Sequence, residues 1–538
     1  MGRPAIRRRR PFLFRAYSAR PASLPEYALV ARLGKSALRF RRFEVRQSFF
    51  AFAACACVLA VAACGSKSAG IVAAGTGAEI APAGSIAFVS IDVDQATGQW
   101  QKLAGLLDRV TGLSGLDRLA GGACLRSVPS ALGKSVGVAV LPVEGGSHAG
   151  VVLMTRPADT SAAKQALARG IGAECVAEIR ARVRPAKSAG VKSARKSPQL
   201  VLRHATRDTG GWLLISDSSA TIDRLEREAK KGTLAGSNAF RSAFAALPEN
   251  ALVRAYFSGE AVSSAVADLS GDTSGFVAAK AKPDWVALSA RAMPGGLRLD
   301  GTVSGVEAAN APNSLIDEAP AGSRLALSFN GSSYGLDKAL EKLTSDAMTG
   351  SELTRIETYL GLTPDDLTAL ARSEITLFTG EPGPAGENAV AVDPRTGKIS
   401  GQAGLGLELR GAGASETARK IEKGLPALAS FLKGATRRIS LNGVNARELT
   451  LGALRFYIAG VAGKMLLSAD ETVIGRGAKL SSTRSYRAAE RALRLPAKNA
   501  GVLFARLDQA SDRNRSALLV YLDASGSTLR IHGVLSIG

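Results

Sequence analysis

One feature constrains the fold more than any other: the chain repeats itself over a long period. APAGSIAFVSI begins at Ala81 and APAGSRLALSF begins at Ala319. Five further matches follow in the same order. GKSVGVAVL, from Gly133, meets ARSEITLFT, from Ala371, and GVVLMTR, from Gly150, meets GLGLELR, from Gly404. GGWLLISDSSATI, from Gly210, meets AGKMLLSADETVI, from Ala462. FRSAFAALPENALVRAYF, from Phe240, meets YRAAERALRLPAKNAGVLFARL, from Tyr486. GGLRLDGTVSG, from Gly295, meets GSTLRIHGVLSIG, from Gly526. A period this long reads as a duplicated domain rather than a solenoid. A chain of 538 residues is also too long for one ordinary core.

The matches divide the chain into a first lobe over 81–306, a linker over 307–318 and a second lobe over 319–538. Inside each lobe, short runs rich in Val, Leu and Ile and bounded by Gly, Pro or Asp read as strands. WVALSARAM and LRLDGTVSG flank Pro294-Gly295-Gly296, a hairpin signal. Helices lie between the strands. In SSATIDRLEREAKKG a serine starts the helix and Gly232 stops it. In LTPDDLTALAR, Thr363 caps, Pro364 takes the first helical position, and Asp365 and Asp366 meet the positive end of the helix dipole. Adjacent strands with interposed helices predict an α+β fold with mainly antiparallel sheets. Two such lobes would form either a cleft or one extended sheet.

The opening at Pro82–Asp92, the segment Leu247–Gly259 and the closing hairpin strand Gly296–Gly301 carry a resemblance. They resemble an uncharacterised bacterial extracytoplasmic family, domain-of-unknown-function family three-three-five-two. That resemblance implies a cell-envelope location and a duplicated α+β fold. It implies no established activity and supplies no site residues.

Before the first lobe stands a leader. Residues 1–63 combine a basic segment with the uncharged run from Phe49 to Ala63. The run is short of the roughly 20 residues a spanning helix needs, so a secretory signal fits it better. Its end, Val61-Ala62-Ala63-Cys64, resembles a bacterial lipobox, which implies that Cys64 is acylated and becomes the mature N-terminus. Each buried CH₂ of such an anchor contributes about 0.8 kcal/mol. The Gly/Ala/Ser-rich stretch over 64–80 reads as a flexible tether. The expected location is therefore the extracytoplasmic face of the cell membrane.

The net charge of +23 suggests nucleic acid at first. About half of it lies in the leader, and the compartment is wrong, so nucleic-acid binding is not expected. The remaining basic cluster is Arg180, Arg182, Arg184, Lys187, Lys192, Arg195 and Lys196, which no acid or aromatic residue interrupts. It reads as a solvated loop or as a contact for anionic lipid or wall polymer, at about 1 kcal/mol per charge near an anionic surface. Cys124 and Cys175 remain after processing. They form a disulfide or stay as two separate buried thiols.

Chemical motifs are missing. His148, His204 and His532 are far apart and lack metal-ligand spacing. Both LGKS stretches fail as phosphate loops, because Leu29 and Val128 stand where the first glycine is needed. GQAGLGLE opens a strand, not the helix of a dinucleotide site. GDTSG, from Gly271, displaces the serine of a nucleophile elbow. DVD, from Asp92, has Thr97 and Leu103 at the glycine and closing-glutamate positions of a calcium loop. No catalytic residue, metal or cofactor is expected. The sequence points to a non-enzymatic, lipid-anchored envelope protein that binds or scaffolds. A carrier of a lipid or other apolar ligand is the first alternative and an envelope hydrolase the second.

Overall fold

The computed structural model describes residues 75–107, 131–170 and 205–537, apart from 144–148, 271–282, 342–349, 380–390, 393–398, 401–404, 508–515 and a few shorter gaps. Among the described residues, eighteen strands form one sheet, and every pairing in it is antiparallel. The first eight are β1 (Ala87–Asp92), β2 (Ser135–Val140), β3 (Val151–Thr155), β4 (Ala205–Thr209), β5 (Trp212–Ser216), β6 (Val253–Ser258), β7 (Trp285–Met293) and β8 (Gly296–Ser304). The next five are β9 (Leu325–Asn330), β10 (Glu374–Thr379), β11 (Leu405–Arg410), β12 (Ala435–Leu441) and β13 (Val444–Leu451). The last five are β14 (Leu454–Val461), β15 (Lys464–Ser468), β16 (Gly501–Arg506), β17 (Ala517–Ser525) and β18 (Thr528–Ser536). With its helices, the sheet makes an α+β fold.

The strand order is symmetric about its middle. From one edge it runs β4, β5, β3, β2, β1, β6, β7, β8. From β18 it continues through β17, β16, β9, β10, β11, β15 and β14. The hairpin β12–β13 extends the far edge. The centre is the pairing of β8 with β18, from Ser304 opposite Thr528 to Gly296 opposite Ser536. Asp300 faces His532 there, and these two residues hold the same place in LRLDGTVS and LRIHGVLS. An approximate two-fold axis normal to the sheet therefore passes between them.

Strand register preserves four of the six sequence matches, shifts one by one residue, and in the match of unequal length sets Val253 level with Gly501. The words GKSVGVAVL and ARSEITLFT set Val136 against Glu374. In the sheet, Asp92 pairs with Ser135 and its counterpart Asn330 pairs with Glu374, so Ser135 is the true equivalent. Side chains alternate across a sheet, so a slip of one would exchange its faces.

Both faces carry helices away from the centre. In the first half, α3 (Ser219–Ala229) and α4 (Asn238–Ala245) bury Ile222, Leu225, Phe240 and Phe244 against Phe88, Met154 and Leu214. On the other face, α1 (Gly98–Leu107) and α2 (Thr160–Gly170) bury Trp100, Leu103, Ala163 and Leu167 against Val89, Ile91 and Leu213. In the second half, α7 (Arg484–Leu493) places Tyr486, Ala489 and Leu493 on Phe378 and Phe504. There α6 (Ala414–Phe431) covers Leu409, Ile458 and Met465. Each such large side chain contributes about 1.5–3 kcal/mol by burial. The sequence-predicted α5 (Pro364–Ala371) starts as expected, with Thr363 and Asp366 forming a reciprocal capping box.

The repeated APAGS word is a packing device. Ala81 and Ala319 are fully buried, and their carbonyls accept from Leu234 N and Leu480 N at 2.8 and 2.6 Å. Pro82 and Pro320 make matching isolated bridges to Thr233 and Lys479. Ser85 N and Ser323 N close the turn onto the proline carbonyls at 3.0 and 2.9 Å. Two segments read as spacers are packed instead. Thr76 and Ala78, at the end of the expected tether, are buried. Leu315 and Ile316, inside the expected linker, are fully buried in a 3₁₀ turn.

Candidate functional site

Most of the sequence-predicted site residues lie outside the described residues: Val61, Ala62, Ala63 and Cys64, the pair Cys124 and Cys175, and the cations from Arg180 to Lys196. His148 and His204 lie outside them too. Among the described residues, no helix is long and apolar enough to cross a membrane. No group of three or more His, Cys, Asp or Glu there could hold a metal ion.

The described chain contains a charged network that the sequence reading did not single out. Glu374 and Glu408 project from β10 and β11, both more than nine-tenths buried. Lys464 on β15 donates to Glu408 at 2.8 Å and also to Glu318. Arg410 pairs with Glu318 and lies 3.7 Å from Glu374. Glu374 accepts from the backbone amides of Ser314 and Leu315 at the start of the 3₁₀ turn. Burial pushes the carboxyls of Glu374 and Glu408 up from their ordinary value, despite these donors. Nearby, burial and then the hydrogen bond to Asp317, at 2.6 Å, push the Tyr486 phenol up.

This network is a difference between the two halves. By register and matched sequence, Glu408 stands where the first half has Met154, Lys464 where it has Trp212, and Glu318 where it has Ile80. Met154 and Trp212 belong to the first-half apolar core, and Ile80 packs against it. Arg156, the counterpart of Arg410, lies over the Trp212 ring at 5.5 Å. The same three positions thus carry apolar side chains in one half and opposed charges in the other. Two glutamates with raised proton affinity are the raw material of acid–base chemistry. Here both are buried and directed at internal donors.

The second polar cluster lies at the centre of the sheet. Asp300 accepts from Arg291 at 2.7 Å and from Arg298 at 3.1 Å. His532 Nδ1 lies 3.4 Å from Asp300, and Tyr521 is tilted against the imidazole at 4.9 Å between centroids. Burial alone would raise Asp300; the hydrogen bonds and charges of Arg291 and Arg298 outweigh it and hold the carboxyl below its ordinary value. His532 is thus half-buried and paired with a carboxylate. The hydrogen-bond partners of His532 are Asp300 and Arg298.

Fold and clusters together define a broad antiparallel α+β protein in which the carboxylates of Glu374, Glu408 and Asp300 accept from internal donors. No family model matches the chain, and no curated protein matches it. A solved structure, crystal form I of TP0453, is similar over 43% of this chain and 80% of its own, at 8% identity and a TM-score of 0.20. A likeness that loose says nothing of fold or role.

Proposed function

We propose that this chain is a non-enzymatic binding protein of the bacterial cell envelope, held to the membrane by a lipid on Cys64. In this reading it consists of two tandem copies of one α+β lobe. The mirrored strand order and the matched APAGS packing support duplication. The leader and its lipobox support the anchor and the extracytoplasmic location. The family resemblance noted for Pro82–Asp92, Leu247–Gly259 and Gly296–Gly301 agrees with both.

One observation carries the binding reading over a catalytic one. The buried carboxylates of the two polar clusters accept from internal donors, while the face of the central strands is uncharged and exposes Leu288, Leu325, Leu327 and Leu377. Large apolar residues gathered on one face mark an interaction site more often than chance exposure does. The anchor is tested by Cys64→Ala. Metabolic labelling with an alkyne palmitate should be abolished and the protein released from the membrane fraction. Unchanged labelling would refute the anchor.

A further inference from the structure

The open apolar face has a definite extent, set by strand register. Its middle row runs Leu299, Gly533, Val520, Leu503, Leu327 and Leu377, each directly opposite the next across β8, β18, β17, β16, β9 and β10. The parallel rows on either side run from Leu297 to Thr379 and from Gly301 to Ile375; Leu297 and Ile375 pack against the helix-covered cores at two corners, and Tyr334 lies against Phe329 and Gly501. Across all three rows no side chain is charged, and Thr379 alone carries a polar group. Leu325, Leu327 and Leu377 are exposed at 43%, 38% and 37%.

Size decides among occupants. Six strands at about 4.8 Å and three rows at about 6.8 Å give a floor of roughly 24 by 14 Å, on the order of 350 Å². A stable interface with a second copy needs about 800 Å² on each partner. Protein partners are also held by Tyr, Trp and Arg anchors and by hydrogen bonds; the side chains of the three rows include none of these anchors, and only Thr379 could hydrogen-bond. Hydrocarbon asks for no hydrogen bonds. One leaflet of acyl chain is about 15 Å long, so the floor accommodates such a chain, and its width accommodates two. All six strands are internal to the sheet, which leaves no edge for an added peptide strand.

We propose that this floor binds the acyl chains of a diacyl phospholipid. The inference rests on the binding reading but is independent of the anchor at Cys64. The test uses the full chain in an amphipathic polymer, titrated with a phosphatidylglycerol that carries a photoactivatable diazirine in one acyl chain. After irradiation, crosslinked peptides are mapped by mass spectrometry. Crosslinks should fall in the peptides that contain Leu299, Leu327, Leu503 and Val520. The exposed pair Leu327→Asn with Leu377→Asn should lower them at least tenfold, while Leu327→Met with Leu377→Met should leave them within twofold. Crosslinks confined to residues 1–63, equal labelling of the asparagine variant, or a native mass showing two copies joined through this face would each overturn the proposal. Floor labelling with Cys64 unlipidated would remove the anchor and leave this inference standing. Lipidated Cys64 with an unlabelled floor would do the reverse.

Discussion

The buried charges of the second half should be replaceable by the hydrocarbon of the first. The perturbation is Glu318→Ile, Glu408→Met and Lys464→Trp together, compared with Lys464→Met alone. Glu408 is only 5% exposed and the Lys464 side chain only 16%. The single substitution leaves one buried carboxylate without its cation, which costs about 3–5 kcal/mol. The triple substitution removes the desolvation cost along with the attraction. Well-packed apolar replacements of buried ion networks range from neutral to about 1–4 kcal/mol stabilising. Arg410 loses Glu318 but gains a ring to lie over, as Arg156 does at 5.5 Å from Trp212, an arrangement that contributes about 0.5–2 kcal/mol. Denaturant midpoints at matched slopes, measured on the full chain, give the comparison. Proton linkage gives a second readout. Glu408 has a folded-state proton affinity above the ordinary value of 4.5, so its contribution is complete below that pH and is lost as pH rises through the folded value. The triple variant should lose that part of the alkaline-going decline. A triple variant as destabilised as the single one, or a single variant costing less than about 1 kcal/mol, would refute the reasoning.

Asp300→Asn should cost about 1.5–3 kcal/mol at neutral pH, through charge-assisted hydrogen bonds to Arg291 and Arg298. Asp300 is held below its ordinary 3.8, so this stabilisation is present above that pH and lost as pH falls. Wild type and variant should converge in acid, and parallel acid limbs would count against the assignment. Gly296→Ala would place a Cβ 2.0 Å from the Leu535 carbonyl. It should cost about 1–3 kcal/mol by overpacking, with faster amide hydrogen exchange in β8 and β18; unchanged exchange would contradict the seam geometry. Thr363→Ala removes the α5 cap and should cost about 1 kcal/mol, read from thermal melts; a neutral result would show that Asp366 alone sustains the helix start.

The strands and turns were legible because their signals are local. Pro294-Gly295 sits at the hairpin turn expected and Gly526 at the matching turn of the second half, with φ of 85° and 62° at the glycines. The α+β class followed from that punctuation. What escaped was what depends on register. Letter matching set Glu374 against Val136, and only the pairing of Asn330 with Glu374 shows the slip. The charged network had left a trace: three matched positions change from Ile80, Met154 and Trp212 to Glu318, Glu408 and Lys464. Two lie in separate words and the third just before another, and nothing in a linear chain says that they converge. The pairing of His532 with Asp300 was hidden for a related reason. The two residues were seen as counterparts, and counterparts meet only where the axis of the sheet passes.

That axis carries a further consequence. In an assembly of two identical halves, whatever residue stands on the dyad must face its own twin, so a carboxylate there would meet a carboxylate and an imidazole an imidazole. Like charges at such a position repel. A single covalent chain escapes this constraint, because its halves are free to diverge at one point while matching elsewhere. Asp300 opposite His532 is that divergence. It makes the central seam heterotypic.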